Sequence, residues 1–310
     1  MDFLLALQNV SVLFLLIVVG YIAGKAGIIS EGGQRELSNL VLKVTMPATI
    51  ILAFQLEYTK ERFNTALSIM LTVALSYVVV IALSKIFSRT YDLEDGQRDI
   101  VEVASALPNT STMGYPIVLS ILGKEALFFA VLGAGLVFEI ISWTYGVFTI
   151  GRSSNVDFRK DFVKNILLSP GILAIIIGFT LFRLSITIPE PINTSMSILG
   201  QATSPLAMLV VGILLSRSNI RECLMSGRLY IIAVVRLLIF PLLILFTLNL
   251  LGFDGMRVII PAVMLGMPTT AYVAMFSTNA GNDAELASQI IFISSLLSII
   301  TIPIVITLAS

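Results

Sequence analysis

The residues from Leu107 to Pro116, Leu-Pro-Asn-Thr-Ser-Thr-Met-Gly-Tyr-Pro, bring two prolines and a run of amide and hydroxyl side chains into a stretch otherwise apolar enough to cross a membrane. A proline within a helix removes a backbone donor and crowds the preceding turn. In hydrocarbon every unsatisfied backbone group costs several kcal/mol, so such a break survives only where it is buried in protein or lines a wet cavity. Pro108 and Pro268 occupy corresponding places in two spans, so both helices are expected to break. Asn109, Thr110, Ser111 and Thr112 follow the first break; Gly266 precedes the second, and Thr269 and Thr270 follow it. The chemistry on offer is anion binding, because a half-helix that starts after a break presents its N–H groups and positive dipole end. Ordinary kinks repaired by neighbouring Ser and Thr are the competing explanation, and the recurrence at matched positions weighs against it.

Two ionisable residues stand deep in spans, Glu139 between Phe138 and Ile140, and Arg236 eight residues into its span. Charges at such depth are costly and face a cavity or a partner. Glu139 reads either as a proton-coupling carboxylate or as one held by a structural hydrogen bond. Arg236 reads as attracting an anionic substrate, as pairing with a carboxylate, or as snorkelling to the membrane surface. Gln201, in Leu-Gly-Gln-Ala-Thr-Ser-Pro, either faces a central cavity or ties helices together. Gly20, Gly24 and Gly27 read as places of close helix contact.

The elements that must position these residues are membrane helices. The chain is 57% hydrophobic and 12% charged, far below the usual charged fraction of about 25% in soluble domains. Basic and acidic residues balance at 19 each, which excludes nucleic acid as a partner on charge grounds. There is no histidine, so a haem, a histidine-based zinc site and a Ser-His-Asp machine are all excluded. The single cysteine, Cys223, leaves no intramolecular disulfide and reads as a small loop residue. No cofactor and no enzymatic activity are expected.

With about 20 apolar residues needed per crossing, ten spans are predicted, at 3–23, 38–55, 64–87, 99–122, 125–150, 165–184, 193–215, 229–251, 256–279 and 286–308. The first lacks the basic flank of a secretory signal and is read as a retained helix. The odd-numbered loops carry twelve Lys and Arg against five in the even-numbered loops, which places the odd loops in the cytoplasm and both termini outside. An internal repeat is visible at an offset of 158 residues: Val18 to Tyr21 matches Ile176 to Phe179, Pro47 matches Pro205, and Gly123 matches Gly281. Pro108 matches Pro268 at 160. Five spans per half is an odd number, so the halves enter the membrane in opposite senses. The predicted fold is therefore an all-α integral membrane protein of two inverted five-helix repeats, 1–150 and 165–310, joined by a cytoplasmic linker at 151–164, with helices four and nine broken and crossing. Many secondary transporters have this pattern, with the site at mid-membrane.

Pro108-Asn109-Thr110 followed by Gly114-Tyr115-Pro116, the segment from Gln201 to Pro205, and Arg236 with Pro241 resemble the auxin efflux carrier family, which includes plant auxin exporters and prokaryotic malate and malonate permeases. The resemblance covers the whole chain, without the long central loop of many plant members, and so implies a prokaryotic member. It implies a scaffold of spans one, two, six and seven that forms a homodimer, and a transport domain made of the others. It further implies that Asn109 holds a substrate carboxylate near Pro108, Thr110, Tyr115, Pro268, Thr269 and Thr270, and that an elevator-like movement alternates access. The sequence departs from symmetry in carrying Thr269 where Asn109 would have its mate.

The expected function is a secondary carrier of a small organic anion, a carboxylate, in the plasma or inner membrane. Coupling to a proton or to sodium stays open. A sodium-coupled symporter of the same architecture, a channel and a membrane sensor are the alternatives.

Overall fold

The computed structural model describes residues 3–152, 169–217 and 220–309. The linker expected at 151–164 and the start of the sixth span fall largely outside them. The fold is 84% helix, with no strand among the described residues. In chain order the helices are α1 (Phe3–Lys25), α2 (Glu31–Leu40), α3 (Met46–Ala53), α4 (Lys60–Ser88), α5 (Asp95–Ala106), α6 (Tyr115–Phe129), α7 (Leu136–Ile141), α8 (Val147–Gly151), α9 (Pro170–Arg183), α10 (Glu190–Leu215), α11 (Ile220–Met225), α12 (Gly227–Val234), α13 (Phe240–Leu250), α14 (Met256–Leu265), α15 (Tyr272–Ala280) and α16 (Ala284–Ala309). Among the described residues, six helical stretches are long and apolar enough to cross a membrane, and α9 and α14 are among the shorter apolar ones. Large apolar side chains such as Leu15, Leu71, Val78 and Phe246 are exposed, as a surface facing lipid requires.

Several of these helices run on through wider, π-helical turns, and the prolines explain three of them. The turns Val41–Thr45, Thr110–Gly114 and Val235–Ile239 each end two residues before a proline, at Pro47, Pro116 and Pro241. In each, the residue preceding the proline donates to a carbonyl five residues back: Met46 to Val41, Tyr115 to Thr110 and Phe240 to Val235. Widening the turn tilts away the carbonyl against which the proline ring would clash, so the helix continues instead of ending. Two further wide turns, Ala130–Gly135 and Ser142–Gly146, flank α7 and have no proline behind them. The helical stretch from Thr110 to Gly151 bends sharply at Gly123, whose φ of 85° and ψ of −175° are non-helical. Its sequence counterpart Gly281 also sits at positive φ, 65°.

The helices pack as two bodies. In the first, α1 lies along α10, and α3 packs on both α9 and α10. In the second, α4 packs on α5 and α14, and α16 receives α12, α14 and α15. Each half of the chain contributes to both bodies. The first body is held by close backbone approach: a Cβ on Gly20 would collide with the Leu209 carbonyl, and one on Gly212 with the Ile17 carbonyl. Gly24 likewise faces Ser216, whereas Gly27 touches nothing and instead supplies a positive φ of 70° after α1. Close contact is thus right for two of the three glycines. Cys223 also differs from expectation, since it is buried within α11 and not in a loop.

Candidate functional site

Two broken helices meet at the centre of the second body. The α5 helix ends at Ala106 and α14 at Leu265, each just ahead of its proline. The freed backbone groups satisfy one another: Asn109 N donates to Pro268 O at 2.6 Å, and Thr270 N donates to Leu107 O at 3.2 Å. Pro108 and Thr269 thereby face each other as a single antiparallel bridge. Such a bridge meets the demand that backbone groups at membrane depth be paired within the protein. Side chains complete the repair. Thr269 N donates to Ser294 Oγ at 3.2 Å, and its hydroxyl donates to Ala104 O at 3.0 Å. The Thr112 hydroxyl donates to Asn109 Oδ1 at 2.5 Å.

Two cavities open along the seam between the bodies. One, of about 380 Å³, is lined by Lys43, Met46, Ile50 and Ile175 from the first body and by Ser111, Tyr115, Glu139, Trp143, Tyr272 and Met275 from the second. The other, of about 600 Å³, is lined by Thr49, Asn193, Ser197 and Gln201 on one wall and by Pro116, Ser120 and Lys124 on the opposite wall. They lie at opposite ends of the seam. The first touches the start of α9, and the second touches the start of α10, which follows the turn after α9. A helix of 14 residues separates those ends by about 20 Å.

The first cavity has an aromatic wall around one acid. Glu139 is only 7% exposed and accepts from the Tyr272 hydroxyl, at 3.3 and 3.5 Å to its two oxygens. Tyr272 stacks on Phe138, with centroids 5.8 Å apart, and Trp143 packs against both Tyr272 and Phe276. Tyr115 fits because Gly135, in the wide turn before α7, has no side chain where the tyrosine hydroxyl lies. At the far end of α8, Arg152 donates to Asp99 at 2.7 Å and to Glu102 at 2.9 Å, and Tyr145 donates to Glu102 at 2.8 Å. The hydrogen bond that Arg152 donates to Asp99 holds the guanidinium proton more tightly than usual. These bonds tie α8 to the start of α5.

The structure brings Pro108, Asn109, Thr110, Pro268, Thr269 and Thr270 together at the crossing, where the four polar side chains among them are buried. Asn109 lines neither cavity, whereas its near neighbours Ser111 and Tyr115 line the first. Gln201 belongs to the second cavity, where its amide donates to Ser197 Oγ at 3.3 Å. Arg236 does not snorkel: it is fully buried, and none of its guanidinium nitrogens has a partner among the described residues. Sequence reasoning passed over Tyr272, Trp143 and Lys43. Lys43 had a readable signal, being an ionisable residue within a span. The aromatic pair had none, because membership of a cavity wall depends on helix rotation.

The chain's relatives agree with a membrane role. A family model described as membrane transport protein matches residues 5–306. An uncharacterized transporter of Methanocaldococcus jannaschii is 27% identical over 303 residues, covering 96% of this chain and 97% of that protein. A second uncharacterized transporter, of Methanothermobacter thermautotrophicus, is 25% identical over 311 residues, covering 98% of each. With nearly every residue inside the matched region, the chain belongs to this family of membrane transport proteins, the one that contains the auxin efflux carriers.

Proposed function

We propose that the protein is a secondary carrier of a small organic anion, a carboxylate, working by elevator-like alternating access. The observation that carries this reading is the pairing of two broken helices beside a seam with a cavity at each end. A body that slides along the seam would expose the crossing first to one cavity and then to the other. The first body, α1 to α3 with α9 and α10, would be the fixed and dimer-forming scaffold, and the second would move. The expected arrangement of ten spans in two inverted repeats would put the crossing at mid-membrane. Lys43 and Lys124 give each cavity one cation to draw in an anion. Ser111, which lines the first cavity, and the neighbouring Thr110 and Asn109 would be the groups that take a carboxylate at the crossing.

A thermal-shift screen of carboxylates on purified protein tests the reading, repeated over pH and with and without sodium. Stabilisation by carboxylates is expected. Stabilisation by non-carboxylate ligands alone would remove the substrate class, and a strict requirement for sodium would turn the carrier into a sodium symporter.

A further inference from the structure

Among the described residues three acids are buried, Asp99, Glu102 and Glu139. Arg152 pairs with the first two, and no ion pair among the described residues includes Glu139. Its carboxylate accepts from the Tyr272 hydroxyl, a neutral donor, and two carboxylate oxygens have room to accept more. A charge at membrane depth is costly unless it meets a partner or a cavity. Glu139 has the cavity: it lines the first one, together with Tyr115, Trp143 and Tyr272. Lys43 lines the same cavity from the first body, where it is exposed and not paired with Glu139. One wall thus offers an acid and the other a base, each with its charge still to be met.

An acid among aromatic side chains is the chemistry that recognises an organic ammonium, because the carboxylate supplies the opposite charge and aromatic rings attract cations. A hard metal cation instead takes a shell of oxygens, which the side chains of Met46, Ile50, Ile175 and Met275 on the same walls do not provide. Ser111 lines this cavity too, at the start of the half-helix that follows the break at Pro108, where a hydroxyl and a positive dipole end suit a carboxylate. At about 380 Å³ the cavity is at the small end of ligand pockets, so one small molecule meets both groups. We infer that the substrate is a small amino carboxylate, with its ammonium on Glu139 among Tyr115, Trp143 and Tyr272 and its carboxylate on Ser111, Lys43 drawing the carboxylate end from the facing wall. The inference rests on the carrier reading above and names its substrate class: the carboxylate is kept and a cationic nitrogen is added. The Met and Ile side chains of the wall leave room for an uncharged, apolar side chain.

The test is calorimetric binding by the purified full-length protein at about pH 7, where carboxylates and amines are both ionised. The probes are alanine, leucine and phenylalanine, the hydroxy acids of matching shape (lactate, 2-hydroxyisocaproate and phenyllactate), and 3-methylbutylamine, which has leucine's ammonium without its carboxylate. At least one amino acid should bind about tenfold tighter than its hydroxy acid, the loss expected when a buried charge is left unpaired, and leucine should bind tighter than the amine. Glu139→Gln should bind amino acid and hydroxy acid alike, and Trp143→Leu should weaken the amino acid by about threefold more than the hydroxy acid. Size-exclusion chromatography verifies the fold of each variant, and the wild-type ranking decides by itself if a variant does not fold. Hydroxy acids that bind the wild type as tightly as amino acids, or a preference for amino acids that survives in Glu139→Gln, overturn the ammonium site and leave the carrier reading standing. Binding of the amine as tight as that of leucine, or failure to bind any of these acids and a wider panel of carboxylates, overturns both.

Discussion

Asn109 serves the crossing twice, and the two roles separate by mutation. Its backbone N–H bonds Pro268, which any residue can do, while its carboxamide accepts from Thr112 and lies two residues from the cavity-lining Ser111. Asn109→Ala is therefore expected to keep the helix crossing, elute as folded protein and lose carboxylate transport. Thr269 is the contrasting case. Its hydroxyl is committed to the Ala104 carbonyl, so Thr269→Val leaves a buried acceptor unpaired and should cost about 1–3 kcal/mol in thermal stability. The asymmetry between Asn109 and Thr269 was legible in the sequence, since a proline imposes its break whatever surrounds it. What each side chain then bonds was not legible, because it depends on the opposing helix. The same limit hid Tyr272, whose hydroxyl reaches Glu139 across the cavity from 133 residues away in the chain.

At the scale of elements, prolines do two different jobs here. Pro108 and Pro268 end helices, whereas Pro47, Pro116 and Pro241 are carried through by widened turns. The difference follows from what surrounds them: a second broken helix pairs with the first at Pro108 and Pro268, and at the others the residue before the proline donates to a carbonyl five residues back. The sequence pattern predicts breaks at Pro108 and Pro268 and says nothing of how the helices pass Pro47, Pro116 and Pro241. Glycines act at this scale as well. Gly212 lets the α10 backbone meet that of α1 at Ile17, so Gly212→Ala must push the helices apart. It should lower stability by about 1–3 kcal/mol, read as a drop in melting temperature in detergent, while the same substitution at Gly171, where a Cβ meets nothing, should leave the melting temperature unchanged.

At the scale of the molecule, the two packed bodies cut across the two halves of the chain. The resemblance to the auxin efflux carriers implies such a division, by setting spans one, two, six and seven apart from the others. The excess of Lys and Arg in the odd-numbered loops predicts that both termini lie outside the cell. Single cysteines added at either end of a Cys223→Ser protein should react with a membrane-impermeant maleimide applied to whole cells, and labelling only after permeabilisation would reverse the orientation. The central claim, that the crossing of α5 and α14 is the binding centre of an organic-anion carrier, is tested most directly by uptake of labelled carboxylates into proteoliposomes. Wild-type protein should show saturable uptake that Asn109→Ala abolishes, and either the absence of saturable uptake or undiminished uptake by the variant would contradict it.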